Sequence, residues 1–386
     1  MKVLWLASIY PSTLHPFDGD FIQRHAKATG MFCAVEIIHV VKDADGLCTN
    51  DITETVASHG NLTERIIYYK PVSTSIKIID RLLSSLKYKK IYRNAVENYI
   101  AENGKPEFVH LHMAMKAGLT VLWLKRKYGI PYILSEHWGG YLDEAKPNIK
   151  DYNFIYRYYW KQIISKAVVC TFVSNVFQEQ MLKKYSIKSS HVIPNVVDTD
   201  IFFAAEKMQN EKTRFIHIST MIYQKNTEAI LKAVSLIKDE FPVELYLFGL
   251  INSSLESMIT ELRLKNVVFI KGEVPQQTLS AAIQQSDVLI LYSRFETFGC
   301  VLIEANACGV PVIVSNLPVF HEIIEEGVNG YFVEGDNPAA LSEKLKEFIA
   351  EKNTFDKISI AVTAAQKYNF KKIGKQFFDL YQTLIK

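Results

Sequence analysis

A chain of 386 residues, 48% hydrophobic and 22% charged, is too long for one ordinary hydrophobic core and falls within the soluble globular range. Two domains are therefore expected, and disordered or fibrous classes are excluded. The net charge of +3 is too weak for a nucleic-acid binder, although residues 1–200 carry 25 Lys+Arg against 19 Asp+Glu and the remainder 19 against 22, a tilt that suits a first domain meeting anionic substrates or membranes.

In chain order, short apolar runs recur at 3–8, 35–41, 65–69, 108–112, 132–135, 168–174 and 191–193, separated by helix-length amphipathic stretches. Runs that are continuously apolar are buried on both faces, so this rhythm predicts a parallel sheet covered by helices on each side. The opening residues read better as the first strand than as a signal peptide, because Pro11 ends the run and no small-residue cleavage site follows. After Pro194-Asn195-Val196-Val197-Asp198 a polar stretch intervenes, and a second series begins at 215–219, followed by 243–248, 267–270, 288–292, 310–315 and 330–333. The expectation is two doubly wound α/β domains, 1–200 and 201–370, with a last helix over 371–386 that packs back on the first. No apolar run reaches the ~20 residues of a membrane span. Five cysteines, with no C-x-x-C pair and no zinc-type spacing, point to a reducing, cytoplasmic setting.

The chemistry concentrates in Ser293-Arg294-Phe295-Glu296-Thr297-Phe298-Gly299-Cys300 and the apolar helix that follows it to Gly309. A strand, a loop and a helix entered near Gly299 place backbone N–H groups and the positive end of a helix dipole where a phosphate can bind. Glu304 lies among Val301, Leu302, Ile303, Ala305 and Ala307. If that helix is buried, the carboxylate needs donors, and a ribose diol would supply two; the plainer alternative is a narrow exposed stripe. Lys225-Asn226 opens a helix of the second series, and a lysine there is ordinarily solvated. Asp18-Gly19-Asp20-Phe21 reads equally well as a simple turn. Ser135-Glu136-His137-Trp138-Gly139-Gly140 ends a strand, where His137 is either functional or a hydrogen-bonded strand-end residue. His110 and His112 share a strand face, but no third ligand at suitable spacing accompanies them.

The pattern E-T-F-G-x-x-x-x-E-A-x-A-x-G-x-P-V-I from Glu296 to Ile313 resembles the signature of the retaining glycosyltransferases of family four (glycosyl transferases group 1), and Glu322-Ile323-Ile324 and Glu326-Gly327-Val328-Asn329-Gly330 continue it. The resemblance implies the GT-B fold: two Rossmann-like domains with an interdomain cleft, the first on the acceptor side and the second on the nucleotide-sugar side. It implies that Glu304 holds the ribose, Glu296 the hydroxyls of the transferred sugar, and the backbone at Phe298, Gly299, Cys300 and Val301 the sugar or diphosphate. Lys225 matches the family's diphosphate-binding lysine, whereas Thr220 stands where the family has arginine. Gly19 and Asp20 lie in the counterpart of its glycine-containing loop, and His137 matches a histidine that contacts the transferred sugar. His137, Lys225 and Glu296 are the implied catalytic residues.

No Asp-x-Asp motif falls where a donor diphosphate would sit, so the expected reaction uses no metal and no cofactor. The substrate would be a UDP-, GDP- or ADP-sugar, and the acceptor a saccharide or a lipid-linked one. Basic, aromatic stretches at 81–93 and 156–161 add a membrane surface as a partner and a peripheral position on its inner face. Rival readings are a nucleotide-sugar epimerase of the same fold and a non-catalytic nucleotide-sugar binder, the latter kept open by Thr220.

Overall fold

The computed structural model of the protein describes every residue except Ser75, Gln209 and Lys386. Its contacts divide the chain into two compact units. One comprises Met1–Trp138, Ile149–Pro194 and Phe370–Lys386, and the other comprises Gly139–Asn148 and Asn195–Asn369. The sequence pattern places the crossing at residue 200; the contacts pass over at Pro194–Asn195 and also assign the short excursion 139–148 to the second unit.

The first unit is built from β1 (Lys2–Ala7), α1 (Asp20–Gly30), β2 (Ala34–Lys42), β3 (Ile52–His59), β4 (Leu62–Tyr69), α2 (Lys77–Asn103), β5 (Val109–His112), α3 (Gly118–Tyr128), β6 (Tyr132–Glu136), α4 (Phe154–Lys166), β7 (Val169–Phe172), α5 (Asn175–Lys184) and β8 (Ser190–Val192). Its sheet runs β3-β4-β2-β1-β5-β6-β7-β8, so strand order reverses at β1. Leu4, Trp5, Leu6 and Ala7 are fully buried, as a central strand covered on both faces must be. Only β3 is antiparallel, paired residue for residue with β4 across Gly60-Asn61. That edge strand escapes the sequence pattern because it is exposed nearly throughout and has no apolar run to announce it.

The second unit contains β9 (Thr213–Ile218), α6 (Thr227–Ile237), β10 (Val243–Phe248), α7 (Ser253–Glu261), β11 (Val268–Gly272), α8 (Gln276–Gln284), β12 (Val288–Leu291), α9 (Cys300–Ala307), β13 (Val312–Ser315), β14 (Gly330–Val333), α10 (Pro338–Glu351) and α11 (Lys357–Tyr368). Six strands pair in parallel in the order β11-β10-β9-β12-β13-β14, with the reversal between β9 and β12. Phe215, Leu245, Val288, Ile290 and Ile313 meet α6 and α10 through Ile230, Val234, Leu341 and Leu345 in one apolar core.

The last helix, α12 (Phe370–Leu384), returns to the first unit and packs along α1. A Cβ at Gly374 would lie 2.0 Å from the Ala28 carbonyl oxygen, so glycine is what lets the two backbones touch. Phe377 and Tyr381 then reach the core beside Trp5 and His110, and the Tyr381 hydroxyl lies 2.6 Å from His110 Nδ1. No helix of the described residues is long and apolar enough to cross a membrane.

Both cores bury histidines. Burial holds His25, His39 and His217 down to about 4, against the partly restoring bonds to the carbonyls of Pro194, Ala7 and Ile290. His110 and His112 are pushed well below 6.5, again by burial first. Each group is neutral in the fold and takes up its proton more readily when unfolded. The stability it contributes is therefore complete above pH 6.5 and is lost as pH falls; for His25, His39 and His217 the loss on approaching pH 4 is up to about 3 kcal/mol each. Urea midpoints measured from pH 7 to pH 4.5 should fall accordingly, and His39→Asn should flatten the slope; an unchanged slope in that variant would remove His39 from the account.

Candidate functional site

Two loops leave the carboxyl ends of β9 and β12, the strands that flank the reversal in the second sheet, which is where open α/β sheets bind ligands. The first spans 219–226 and ends in a short 3₁₀ turn, Tyr223–Lys225, before α6. The second spans 292–299 and enters α9 at Gly299. Gly299 adopts φ +97, and a Cβ there would lie 3.1 Å from both the Leu302 and Phe320 side chains. Glycine thus permits a sharp entry that points the first turn of α9, with its backbone N–H groups, into the site.

The loops are sewn together at successive residues. The Arg294 backbone N–H donates to the Gln224 carbonyl at 2.8 Å, and the Gln224 side-chain amide returns a bond to the Phe295 carbonyl at 3.0 Å. Lys225 Nζ forms an ion pair with Glu296 Oε1, and Ser293 Oγ donates to the same oxygen at 2.9 Å. With side chains 18% and 5% exposed, neither charge is left bare in a low-dielectric wall.

Arg294 clamps the outer side of this seam. Its Nη1 donates to the Tyr223 carbonyl at 2.6 Å, its guanidinium lies 4.4 Å from the Tyr223 ring centroid, and it bridges to Glu228 at 2.7 Å and Asp336 at 3.4 Å. Asn226, buried and in the left-handed region at φ 51, donates to Asp336 at 2.9 Å.

Beneath the seam, His217 Nδ1 donates to the Ile290 carbonyl at 2.8 Å, which leaves Nε2 of the neutral ring to accept from Ser219 Oγ at 2.8 Å and Thr227 Oγ1 at 3.1 Å. Ser219 Oγ in turn accepts the Met221 N–H at 2.9 Å. Burial, reinforced by the Lys225 charge, keeps this imidazole neutral, as the network requires.

Glu304 lies in α9 with 4% exposure, so the exposed-stripe alternative fails and the carboxylate belongs to the interior face. Phe298 is also buried and packs edge-on to Tyr368 at 5.9 Å, while Cys300 and Val301 are half-buried at the helix entry. Thr220 is exposed at the head of the Lys225 loop. Gly139 places its α-carbon against this wall: a Cβ there would lie 3.4 Å from the Phe295 ring.

In the first unit, Gly19 heads α1 at φ 68 and Asp20 pairs with Arg24 at 3.2 Å. His137 follows β6, half-buried, with its ring 4.8 Å from Phe21, 5.7 Å from His25 and 6.1 Å from His112. Burial holds it well below 6.5, with the neighbouring histidines adding to the effect. Glu136 accepts the His137 N–H at 3.0 Å and the Ala114 N–H at 2.9 Å, fixing the strand end. Gly19, Asp20 and His137 thus gather around the start of α1. His110 and His112 serve packing: the former lies between Tyr381 and Ser135, and the latter stacks on Trp5 at 4.0 Å. Among the described residues no group of three or more His, Cys, Asp or Glu is arranged to hold a metal ion.

Ser293, Arg294 and Asn226 stand in segments that the sequence marks, but no role falls to them there, nor to Gln224 or His217. Nothing in spacing reveals that they meet across 70 residues. Arg294→Lys, which keeps the charge but loses the fork, should cost about 1 kcal/mol in urea unfolding. A double-mutant cycle between positions 294 and 225 should give a coupling of about 0.5 kcal/mol or more; strictly additive effects would mean that the two loops do not act as a unit.

Residues 198–364 match the sequence model of the family described as glycosyl transferases group 1, and residues 53–201 that of glycosyltransferase family 4. The candidate teichuronic acid biosynthesis glycosyltransferase TuaC of Bacillus subtilis is 20% identical over 100% of this chain and 99% of its own. Three other curated relatives, 26–28% identical, are matched over 75%, 65% and 46% of their own lengths. Among solved structures, sucrose-phosphate synthase from Thermosynechococcus elongatus is similar with a TM-score of 0.80 and 16% identity, covering 100% of this chain and 99% of that one. Anabaena HepE, solved in complex with UDP and glucose, is similar with a TM-score of 0.73 and 16% identity, covering 99% and 100%. At these identities the structural likeness establishes the fold, which is GT-B.

Proposed function

We propose, on the premise that this chain belongs to the family-four glycosyltransferases (glycosyl transferases group 1), that it transfers a sugar with retention and without metal from a nucleotide diphosphate donor. The acceptor is a saccharide or a lipid-linked one in polysaccharide or glycoconjugate synthesis, met at the cytoplasmic face of a membrane. UDP is the first donor base to test, since HepE was solved with UDP and glucose; GDP- and ADP-sugars are the alternatives.

The observation that carries this reading is the Lys225–Glu296 pair at the strand reversal, beside the first turn of α9. Cleavage of a nucleotide sugar builds negative charge on the diphosphate while the sugar becomes cation-like. A fixed ammonium and a helix N-terminus stabilise that leaving group electrostatically, the task a metal performs elsewhere. Lys225 and Glu296 serve as each other's counter-charge. A donor whose diphosphate reaches Lys225 and whose sugar hydroxyls reach Glu296 replaces one contact with two. Glu304, buried in α9, holds the ribose, and His137 contacts the transferred sugar. Same-face attack, with the departing phosphate accepting the acceptor's proton, accounts for retention with no carboxylate nucleophile.

Nucleoside diphosphates should stabilise the protein in EDTA. At about 100 times Kd, linkage gives about 2.7 kcal/mol, or a few degrees in Tm. No shift with any common nucleotide, or a shift abolished by EDTA, would sink the metal-free donor site.

The two glutamates separate by ligand. Glu304→Gln should weaken the free nucleotide and the sugar nucleotide alike, whereas Glu296→Gln should spare the nucleotide and lower turnover, because its contact strengthens as the sugar becomes cation-like. Lys225→Ala should cost roughly 10²- to 10³-fold in turnover. Calorimetry with single-turnover assays decides: equal nucleotide loss in both glutamate variants refutes the division, and normal turnover in Lys225→Ala refutes the leaving-group role.

A further inference from the structure

Three helices of the first unit, α2, α3 and α4, together carry twelve Lys+Arg against three Asp+Glu, in a protein whose whole net charge is only +3. They are joined on one face. Lys89 and Arg93 of α2, Leu119, Trp123 and Arg126 of α3, and Tyr159 of α4 line a common surface cleft of ≈ 230 Å³. An adjoining cleft of ≈ 470 Å³ extends it along Leu86, Lys90 and Lys127, the last paired with Glu97 of the same lining. Trp123 sits in the middle, with the Arg93 guanidinium 5.3 Å and the Lys127 ammonium 5.2 Å from its ring centroid.

Both outer helices begin in apolar turns that nothing in their own unit covers. Along α2, Ile78, Ile79, Leu82 and Leu86 are 78%, 40%, 60% and 52% exposed. At the start of α4, every residue from 153 to 159 is exposed, with Phe154 at 73% and Tyr158 at 58%. Large contiguous apolar exposure marks an interaction surface, since single exposed leucines are ordinary but two such helix starts are not. The pairing of aromatic and aliphatic side chains with lysine and arginine, with Glu97 the acid that lines the clefts, is the composition that inserts at a lipid headgroup boundary.

We infer that the α2–α3–α4 face is a docking surface for a bilayer containing anionic phospholipid, with basic side chains on the headgroups and the apolar starts of α2 and α4 entering between them. This deepens the transferase reading by naming the surface that holds the enzyme near a lipid-linked acceptor, and rests on that reading only for this purpose. Charge complementarity selects the occupant: an acidic protein or polysaccharide would satisfy the lysines but leave Phe154 and Ile78 in water.

The full chain should co-sediment with phosphatidylcholine vesicles that contain phosphatidylglycerol and not with phosphatidylcholine alone. Binding should weaken with salt, since exposed charges are screened. Each basic residue near such a surface is worth about fivefold in partitioning, so Lys89→Glu, Lys90→Glu and Arg126→Glu together should lose about a hundredfold or more. Lys87 is left out because its amine is held by the Lys70 carbonyl and Asp51. Phe154→Ser with Tyr158→Ser, at positions too exposed to disturb the core, should weaken binding at fixed charge. Nucleotide-induced Tm shifts should persist in both variants, which separates failure here from failure of the donor site. Absence of binding to anionic vesicles, equal binding by wild type and the charge-reversal variant, or loss to heparin competition with no effect of the Phe154 and Tyr158 changes would overturn the proposal.

Discussion

The second unit depends on where a parallel sheet reverses its strand order. At β9 and β12 the strand order runs outward in opposite directions, and the loops that follow these two neighbouring strands meet at the carboxyl edge. Charge placed there is neither fully solvated nor fully buried, so it must be matched. The Lys225–Glu296 pair meets that constraint, and the remaining contacts of the site hold its two ends in register. Arg294 ties Tyr223 to Glu228 and Asp336 from outside, while the neutral His217 ties β9, β12 and α6 from beneath.

Such a seam suits a reaction whose difficulty is electrostatic. Preorganised charge helps only if it does not move away as the reacting group changes, and a lysine on a loop is mobile unless its neighbours are fixed. Here the loop is fixed by a backbone bond to the opposite loop and by side chains that are themselves hydrogen-bonded. Thr220 stands where the family resemblance implies arginine, so the proposed diphosphate site relies on Lys225 and the start of α9, which raises what the clamp must accomplish. The first unit follows another logic. Its interior stacks Trp5 with histidines held neutral by burial, and its outer helices gather positive charge with exposed apolar turns.

What the amino-acid sequence by itself determined was the α/β class, the positions of the strands other than β3, the family signature and the entry of α9 at Gly299. Continuous apolar runs, a glycine at a helix entry and a carboxylate among aliphatic residues are local signals, readable wherever burial or backbone geometry forces the choice of residue. The edge strand β3 was not readable, because an exposed strand has no such demand on it. Tertiary structure alone decided that Lys225 meets Glu296, that Arg294 and His217 support them, that residues 139–148 belong with the second unit, and that α2, α3 and α4 share a face. Each of these joins residues far apart in the chain through polar or exposed side chains, whose identity is set by a partner that only the fold supplies.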